Sequence, residues 1–203
     1  MIWQCPDSAV AALVLGHGAG AGMTHRNMQA TADAFAVRGI ATLRFNFPFI
    51  DAGRKHVDSK AVATARIAEA CAAAEERTRL PLWLGGHSFG GRMASHAVLD
   101  ETIAPCGLVF CAFPLHAPGK PSAARAEHLA RIRCPMLFLS GTRDKLAERD
   151  LLEPLVAGLA DATLHFLATA DHGYRVLKRE RASGESVFDE MARVARAFID
   201  RHS

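Results

Sequence analysis

Residues 82–92 read LWLGGHSFGGR. An apolar run ends in paired glycines, and a second glycine pair opens a stretch of helical character. The segment is therefore read as strand, sharp turn and helix. Gly86-His87-Ser88-Phe89-Gly90 fits G-x-S-x-G, the pentapeptide of a nucleophile elbow, in the strand-to-helix setting that motif requires. A serine on such a turn sits in a strained conformation with its Oγ clear of the sheet. Gly86 and Gly90 suit the turn because a Cβ two residues to either side would crowd it. The plainer alternative is a glycine-rich βα turn that uses Ser88 as a helix cap.

Working outward, short apolar runs recur at 10–16, 40–46, 81–85, 106–112, 135–140 and 162–168. Continuous apolar strands of this kind suit a sheet covered on both faces. Between them lie helical patterns. Met28, Ala32 and Phe35 share one face of a first helix. Ala61, Ala65, Ala68 and Ala72 repeat on a second. Residues 89–99 and 150–159 form two more, and Val187, Met191, Val194 and Phe198 stripe the last. The β-α alternation predicts an α/β fold with a doubly wound, mostly parallel sheet of about six strands, in one domain spanning 1–203. The site belongs outside the carboxyl ends of the strands. The least regular stretch, 113–133, suggests a loop followed by a short helix, too short for a cap domain.

A serine hydroxyl needs a base held by an acid. In an elbow enzyme the chain order is Ser, then Asp or Glu, then His. Gly141-Thr142-Arg143-Asp144 follows the run at 135–140, and Ala170-Asp171-His172-Gly173 follows the run at 162–168. Both fall at carboxyl ends of strands, on the rim that carries Ser88. Ser88, Asp144 and His172 are thus the expected catalytic residues. Asp171 is the lesser candidate acid, because a side chain adjacent to the histidine rarely reaches its Nδ1 from the correct side. Of the other histidines, His96, His128 and His202 are expected on solvated helix faces, His165 in a strand, and His56 and His116 in exposed loops. His25 is a minor candidate for substrate contact, and His87 is expected to lean away from the attack path.

Residues 13–25, LVLGHGAGAGMTH, supply the remaining chemistry. Acyl transfer places negative charge on the former carbonyl oxygen, and two backbone N–H groups aimed there stabilise it. The expected donors are Phe89, which follows the nucleophile, and Ala19, with Gly20 as the alternative loop amide. His17 is expected to buttress the loop by a hydrogen bond. The same letters fit G-x-G-x-x-[GA], a dinucleotide fingerprint in which Arg44 could meet a 2′-phosphate. That reading leaves Ser88, Asp144 and His172 without a role. Met23, Phe47, Phe49, Phe113 and Tyr174 lie near strand ends and are candidates for the pocket wall, or for ordinary core packing.

The bulk properties fit an ordinary globular protein. The chain has 203 residues, half of them apolar, and a net charge of +3, too weak to indicate nucleic acid. Its richest basic stretch is Arg175, Lys178, Arg179 and Arg181, interrupted by Glu180. The five cysteines show no C-x-x-C and no zinc-like spacing, so they are read as reduced, mostly core residues of a cytoplasmic protein. The N-terminus lacks a positive leader region, and 9–15 is too short to span a membrane. No metal or organic cofactor is implied; the expected partner is a small-molecule acyl substrate.

GHGAGAGM, RFNFPF (44–49), GGHSFGGRM (85–93), SGTRD (140–144) and ADHGY (170–174) together resemble the α/β-hydrolase superfamily. Within it they are similar to small bacterial hydrolases of dienelactone-hydrolase-like character. Animal relatives of that subgroup include a regulatory subunit of a histone-acetyltransferase complex and a testis-expressed protein. The resemblance runs from about residue 9 to residue 200. It implies a serine hydrolase that works through a covalent acyl-enzyme. It also admits a thioesterase or peptidase, or a non-catalytic protein-binding module on the same scaffold. Dienelactone hydrolases usually carry a cysteine nucleophile where this chain has Ser88. The chain begins near what is usually the third strand, so the first antiparallel strands are expected to be absent or reduced to residues 2–5.

Overall fold

The computed structural model describes residues 1–99, 103–177, 179–181 and 184–202; Lys178 of the basic stretch therefore lies outside the described residues. Among the described residues seven strands form one sheet: β1 (Ile2–Gln4), β2 (Ala11–Gly16), β3 (Ile40–Phe45), β4 (Leu82–His87), β5 (Leu108–Cys111), β6 (Met136–Gly141) and β7 (Ala162–Leu167). Their order is β1-β3-β2-β4-β5-β6-β7. β1 pairs antiparallel with β3, Trp3 opposite Leu43, and every other pairing is parallel. The sheet thus has one strand more than the six apolar runs. β1 is short and only partly buried, so its composition carries little of the apolar signal.

The chain reverses its direction of travel across the sheet between β2 and β4. The β2 crossover leads out to β3, and the β3 crossover returns past β2 to β4. At such a switch point the two adjacent strand-end loops diverge and leave a crevice. Gly16 is paired with Gly86 there, so the glycine loop and the elbow are neighbours.

Helices α1 (Arg26–Val37) and α6 (Val187–Arg201) cover one face. Helices α3 (Lys60–Glu75), α4 (Phe89–Leu99) and α5 (Arg149–Ala157) lie on the other, and α2 (Pro48–Asp51) is a single turn. Alternate residues of one strand feed the two cores. Leu13 and Leu15 pack with Phe35, Trp83, Met191 and Phe198, whereas Val14 packs with Phe45, Ile67, Leu84 and Met93. This double burial is why the central strands read as unbroken apolar runs. The stretch after β5 is irregular and ends in a 3-10 helix, Ala124–Arg131, with no cap domain.

Several side chains lie elsewhere than expected. On α3 the stripe Ala61, Ala65 and Ala72 faces solvent, and Ala63, Ile67, Ala70, Cys71 and Ala74 face the core. Alanine spacing could not choose the face, because apolar residues occur all round this helix; the larger Ile67 and Cys71 choose it. Among the cysteines, Cys71 and Cys111 are buried but Cys5 and Cys106 are exposed. His116 is buried rather than exposed, held by Glu148 on one ring nitrogen and the Ala117 carbonyl on the other. His96 and His128 stack at 3.8 Å instead of standing in solvent. Arg44 is 1% exposed and donates to Gln29 Oε1 and the Met23 carbonyl. A guanidinium enclosed in this way cannot meet a nucleotide phosphate.

Candidate active site

The elbow is built from backbone. Ser88 has φ +51°, in the left-handed region that side chains rarely adopt. Its N–H is tied to the Cys111 carbonyl at 2.9 Å, and its own carbonyl accepts from Arg92 N–H at 3.0 Å, opening α4. The crowding that demands glycine comes from the neighbouring strand as well as from the turn. A Cβ on Gly86 or on Gly90 would overlap the backbone of Gly16, and one on Gly90 would also stand 2.8 Å from the His17 carbonyl.

Ser88, Asp144 and His172 stand together. His172 Nε2 lies 2.8 Å from Ser88 Oγ, and His172 Nδ1 lies 2.8 Å and 3.0 Å from the two Asp144 oxygens. The Asp144 side chain is wholly enclosed and accepts a further bond from Leu146 N–H at 2.8 Å. A carboxylate only accepts, so the His172 proton is assigned to Nδ1, which leaves Nε2 to accept from the Ser88 hydroxyl. Asp171 turns the other way. Its Oδ1 accepts from the Gly173 and Arg175 N–H groups, both at 2.9 Å, and shapes the loop behind the histidine.

Two residues without an assigned role in the sequence reading hold that loop. His87 Nε2 donates to the His172 carbonyl at 2.9 Å, and Asn27 Nδ2 donates to the Gly173 carbonyl at 2.8 Å. His87 was legible as part of the elbow pentapeptide, but its 85-residue reach to the histidine loop was not. On the opposite side, His17 is fully buried. Its Nε2 accepts from Phe47 N–H at 3.0 Å and its Nδ1 donates to the Gly18 carbonyl at 2.8 Å, so it buttresses the glycine loop. Phe89 opens α4, where a backbone N–H has no carbonyl one turn earlier to meet. Ala19 and Gly20 both line the cavity beside Ser88.

That cavity has a volume of about 380 Å³, with Met28, Thr31, Leu146 and Tyr174 among its walls. Of the five wall candidates only Tyr174 lines it. Phe47, Phe49 and Phe113 are at most 2% exposed and pack in the core. The first two stack edge-on against His17, and Phe113 packs against Phe110 and Phe138. Met23 is held by Asn46 and Arg44 through its backbone and lies outside the lining. Met28 and Thr31 take those places because α1 begins immediately beyond the glycine loop. Among the described residues no group of three or more His, Cys, Asp or Glu side chains could hold a metal ion, and no helix is long and apolar enough to cross a membrane.

A model of the alpha/beta hydrolase domain family matches residues 9–200. The chain belongs to that family. Solved structures agree on the α/β-hydrolase fold. A dienelactone hydrolase from Anabaena variabilis superposes with a TM-score of 0.74 at 17% identity, covering 98% of this chain and 90% of that one. An alpha-beta serine hydrolase homologue from Coxiella burnetii gives 0.71 at 17%, covering 98% and 89%. A Xanthomonas campestris protein described as an a/b serine hydrolase without lid gives 0.66 at 19%, covering 98% and 87%. At these identities the likeness shows the fold alone.

Buried His17 and partly buried His87 and His128 should make the fold of this α/β hydrolase acid-sensitive. Burial lowers the His87 pKa from 6.5 to about 4, and burial also lowers those of His17 and of His128, the latter to about 4. Between pH 6.5 and 4 the unfolded chain therefore binds protons that the folded chain refuses, so stability falls as pH drops through that window. For His87 alone the full loss is on the order of 3 kcal/mol. His116 opposes this. Burial lowers its pKa, but the Ala117 carbonyl and Glu148 outweigh burial and raise it. The urea midpoint should fall between about pH 7 and about pH 5, and His87→Gln should flatten the slope. Equal midpoints at the two pH values would contradict this account.

Proposed function

We propose that this α/β hydrolase is a serine esterase that acts on a small acyl substrate through Ser88, His172 and Asp144. The observation that carries the reading is the continuous hydrogen-bonded chain from Ser88 Oγ to His172 to the enclosed Asp144 carboxylate. In the first half-reaction Ser88 Oγ bonds to the acyl carbon and its proton passes to His172 Nε2. The oxyanion is held by the N–H of Phe89 and by that of Ala19 or Gly20. The carbon–oxygen bond of the ester then breaks, and the departing alkoxide takes the proton from His172. In the second half, water bonds to the acyl carbon, gives its proton to His172, and Ser88 leaves with that proton. Asp144 holds the Nδ1–H tautomer and stabilises the imidazolium that forms in each half. A thioester or an amide could occupy the same geometry. Kinship with dienelactone-hydrolase-like enzymes is the finer family reading, with Ser88 in the nucleophile position.

The open site sets an expectation for chain length. The cavity beside Ser88 opens to solvent and only an irregular stretch with a 3-10 helix follows β5, so a long acyl chain would run out beyond protein cover. Each further methylene contributes roughly 0.8 kcal/mol only where protein covers it. Acetyl or butyryl nitrophenyl esters should therefore be cleaved with a higher kcat/KM than C12 esters at submicellar concentration. Without a cap domain, no activation at a lipid–water interface is expected. A kcat/KM that climbs steadily to C12 would overturn the short-acyl reading.

A further inference from the structure

Beyond His172 the site continues into a second, more open cleft of about 710 Å³. It shares His25, Asn27, His172, Gly173 and Tyr174 with the cavity beside Ser88. Its character is different. The first cavity is walled by glycine, alanine, Met28 and Leu146, whereas the cleft carries Arg26, Arg143, Lys145 and Arg175. These four cations come from three strand-end segments. Arg26 starts α1, Arg143 and Lys145 flank Asp144, and Arg175 follows the histidine loop. None of them forms an ion pair with another described residue. Arg143 Nη1 donates only to the Thr169 carbonyl, at 3.2 Å. Asp171 is the one carboxylate among the described residues lining the cleft, and its Oδ1 is occupied by two backbone N–H groups.

The reaction's own direction says which end of an ester this cleft receives. His172 protonates the departing oxygen, so the alcohol portion lies on the His172 side and the acyl portion on the side of the glycine loop. We propose that this enzyme's substrates are short-chain esters of an alcohol or phenol that bears an anionic group, carboxylate or phosphate, seated among Arg26, Arg143, Lys145 and Arg175. A cleft lined by one sign of charge raises the local concentration of the opposite sign, and guanidinium groups match the oxygens of both anions in pairs. The proposal rests on the hydrolase reading and adds the charge of the leaving group. Its covalent steps are those already given: the ester's carbon–oxygen bond breaks, and the anionic alcohol leaves with the proton from His172.

The test compares 3-acetoxybenzoate and 3-acetoxyphenyl phosphate with the neutral 3-acetoxybenzamide. Each kcat/KM is divided by that ester's own rate of hydrolysis in hydroxide, which removes intrinsic reactivity. At about 20 mM salt at least one anionic ester should exceed the neutral one by roughly tenfold or more. Whichever of the two anions leads identifies the preferred group. The preference should shrink several-fold at about 0.5 M salt, where exposed charges are screened. It should also shrink in Arg26→Gln combined with Arg175→Gln, and persist in Arg79→Gln, an exposed residue just ahead of β4 and outside the cleft. As a measurement independent of turnover, the Ser88→Ala protein should bind 3-hydroxybenzoate or 3-hydroxyphenyl phosphate saturably at low salt. Turnover of the amide with neither anion preferred would sink the proposal and leave the esterase reading standing. No turnover of any of the three esters, with no labelling of Ser88, would sink both.

Discussion

Ser88→Ala should lower turnover of an acetyl ester by on the order of 10⁶-fold, the scale on which a serine triad loses its nucleophile. Ser88 Oγ is the group that stands 2.8 Å from His172 Nε2, and alanine leaves only a methyl in its place. The fold should survive the change. The φ of +51° is no worse for alanine than for serine, and the backbone bonds to Cys111 and Arg92 involve no side chain. The variant should therefore keep its circular dichroism, and its free energy of unfolding in urea to within about 1 kcal/mol. A fluorophosphonate probe should label the parent protein and leave the variant unmarked. Equal labelling of both would place the nucleophile elsewhere and remove the basis for the esterase reading.

Asp144→Asn should cost on the order of 10⁴-fold in kcat, for a reason that lies in a single proton. Leu146 N–H donates to Asp144 Oδ1 at 2.8 Å, so an asparagine here is steered to keep its oxygen on Leu146. Its NH₂ then faces His172 Nδ1 and donates to it. The imidazole must carry its own proton on Nε2, where it can no longer accept from Ser88. Asp171→Asn makes the opposite comparison. Its Oδ1 can still accept from Gly173 and Arg175, so the histidine loop should hold and kcat should change by no more than a few-fold. Steady-state kinetics on the two variants decides between the carboxylates. A large loss for Asp171→Asn and a small one for Asp144→Asn would move the acid to position 171.

What the sequence disclosed and what it withheld have physical causes. The elbow, the order of Ser88, Asp144 and His172, and the parallel sheet were legible because each is set by local chain geometry. Strand runs end just before these side chains, and glycines stand where backbones must touch. The buttress role of His17 was legible from its place in the glycine loop. The pocket wall was not. Phe47, Phe49 and Phe113 lie near strand ends, but a strand end has two sides, and bulky aromatics are drawn to the side that excludes water completely. Met28 and Thr31 reach the cavity because α1 starts at the rim, a fact of three-dimensional approach with no periodic signature. The same holds for the bonds from His87 and Asn27 to the histidine loop, which join residues 85 and 146 positions apart. The solvent-facing alanine stripe of α3 was misread because a helix apolar on all sides gives no preferred direction.

The contact of Gly86 and Gly90 with Gly16 and the His17 carbonyl has an evolutionary meaning. The turn that carries Ser88 and the start of the glycine loop are held at a fixed separation by main chain resting on main chain. That contact itself contains no side chain, so substitution of a neighbouring side chain leaves it in place, and a methyl group at either glycine would break it. The surrounding wall is made differently, from separate side chains of α1, the loop after β6 and the histidine loop. Those positions are free to drift one at a time. Lineages built on this scaffold can therefore change diet without renegotiating the chemistry, and variation gathered by selection should pile up around the rim while the glycine contact stays frozen.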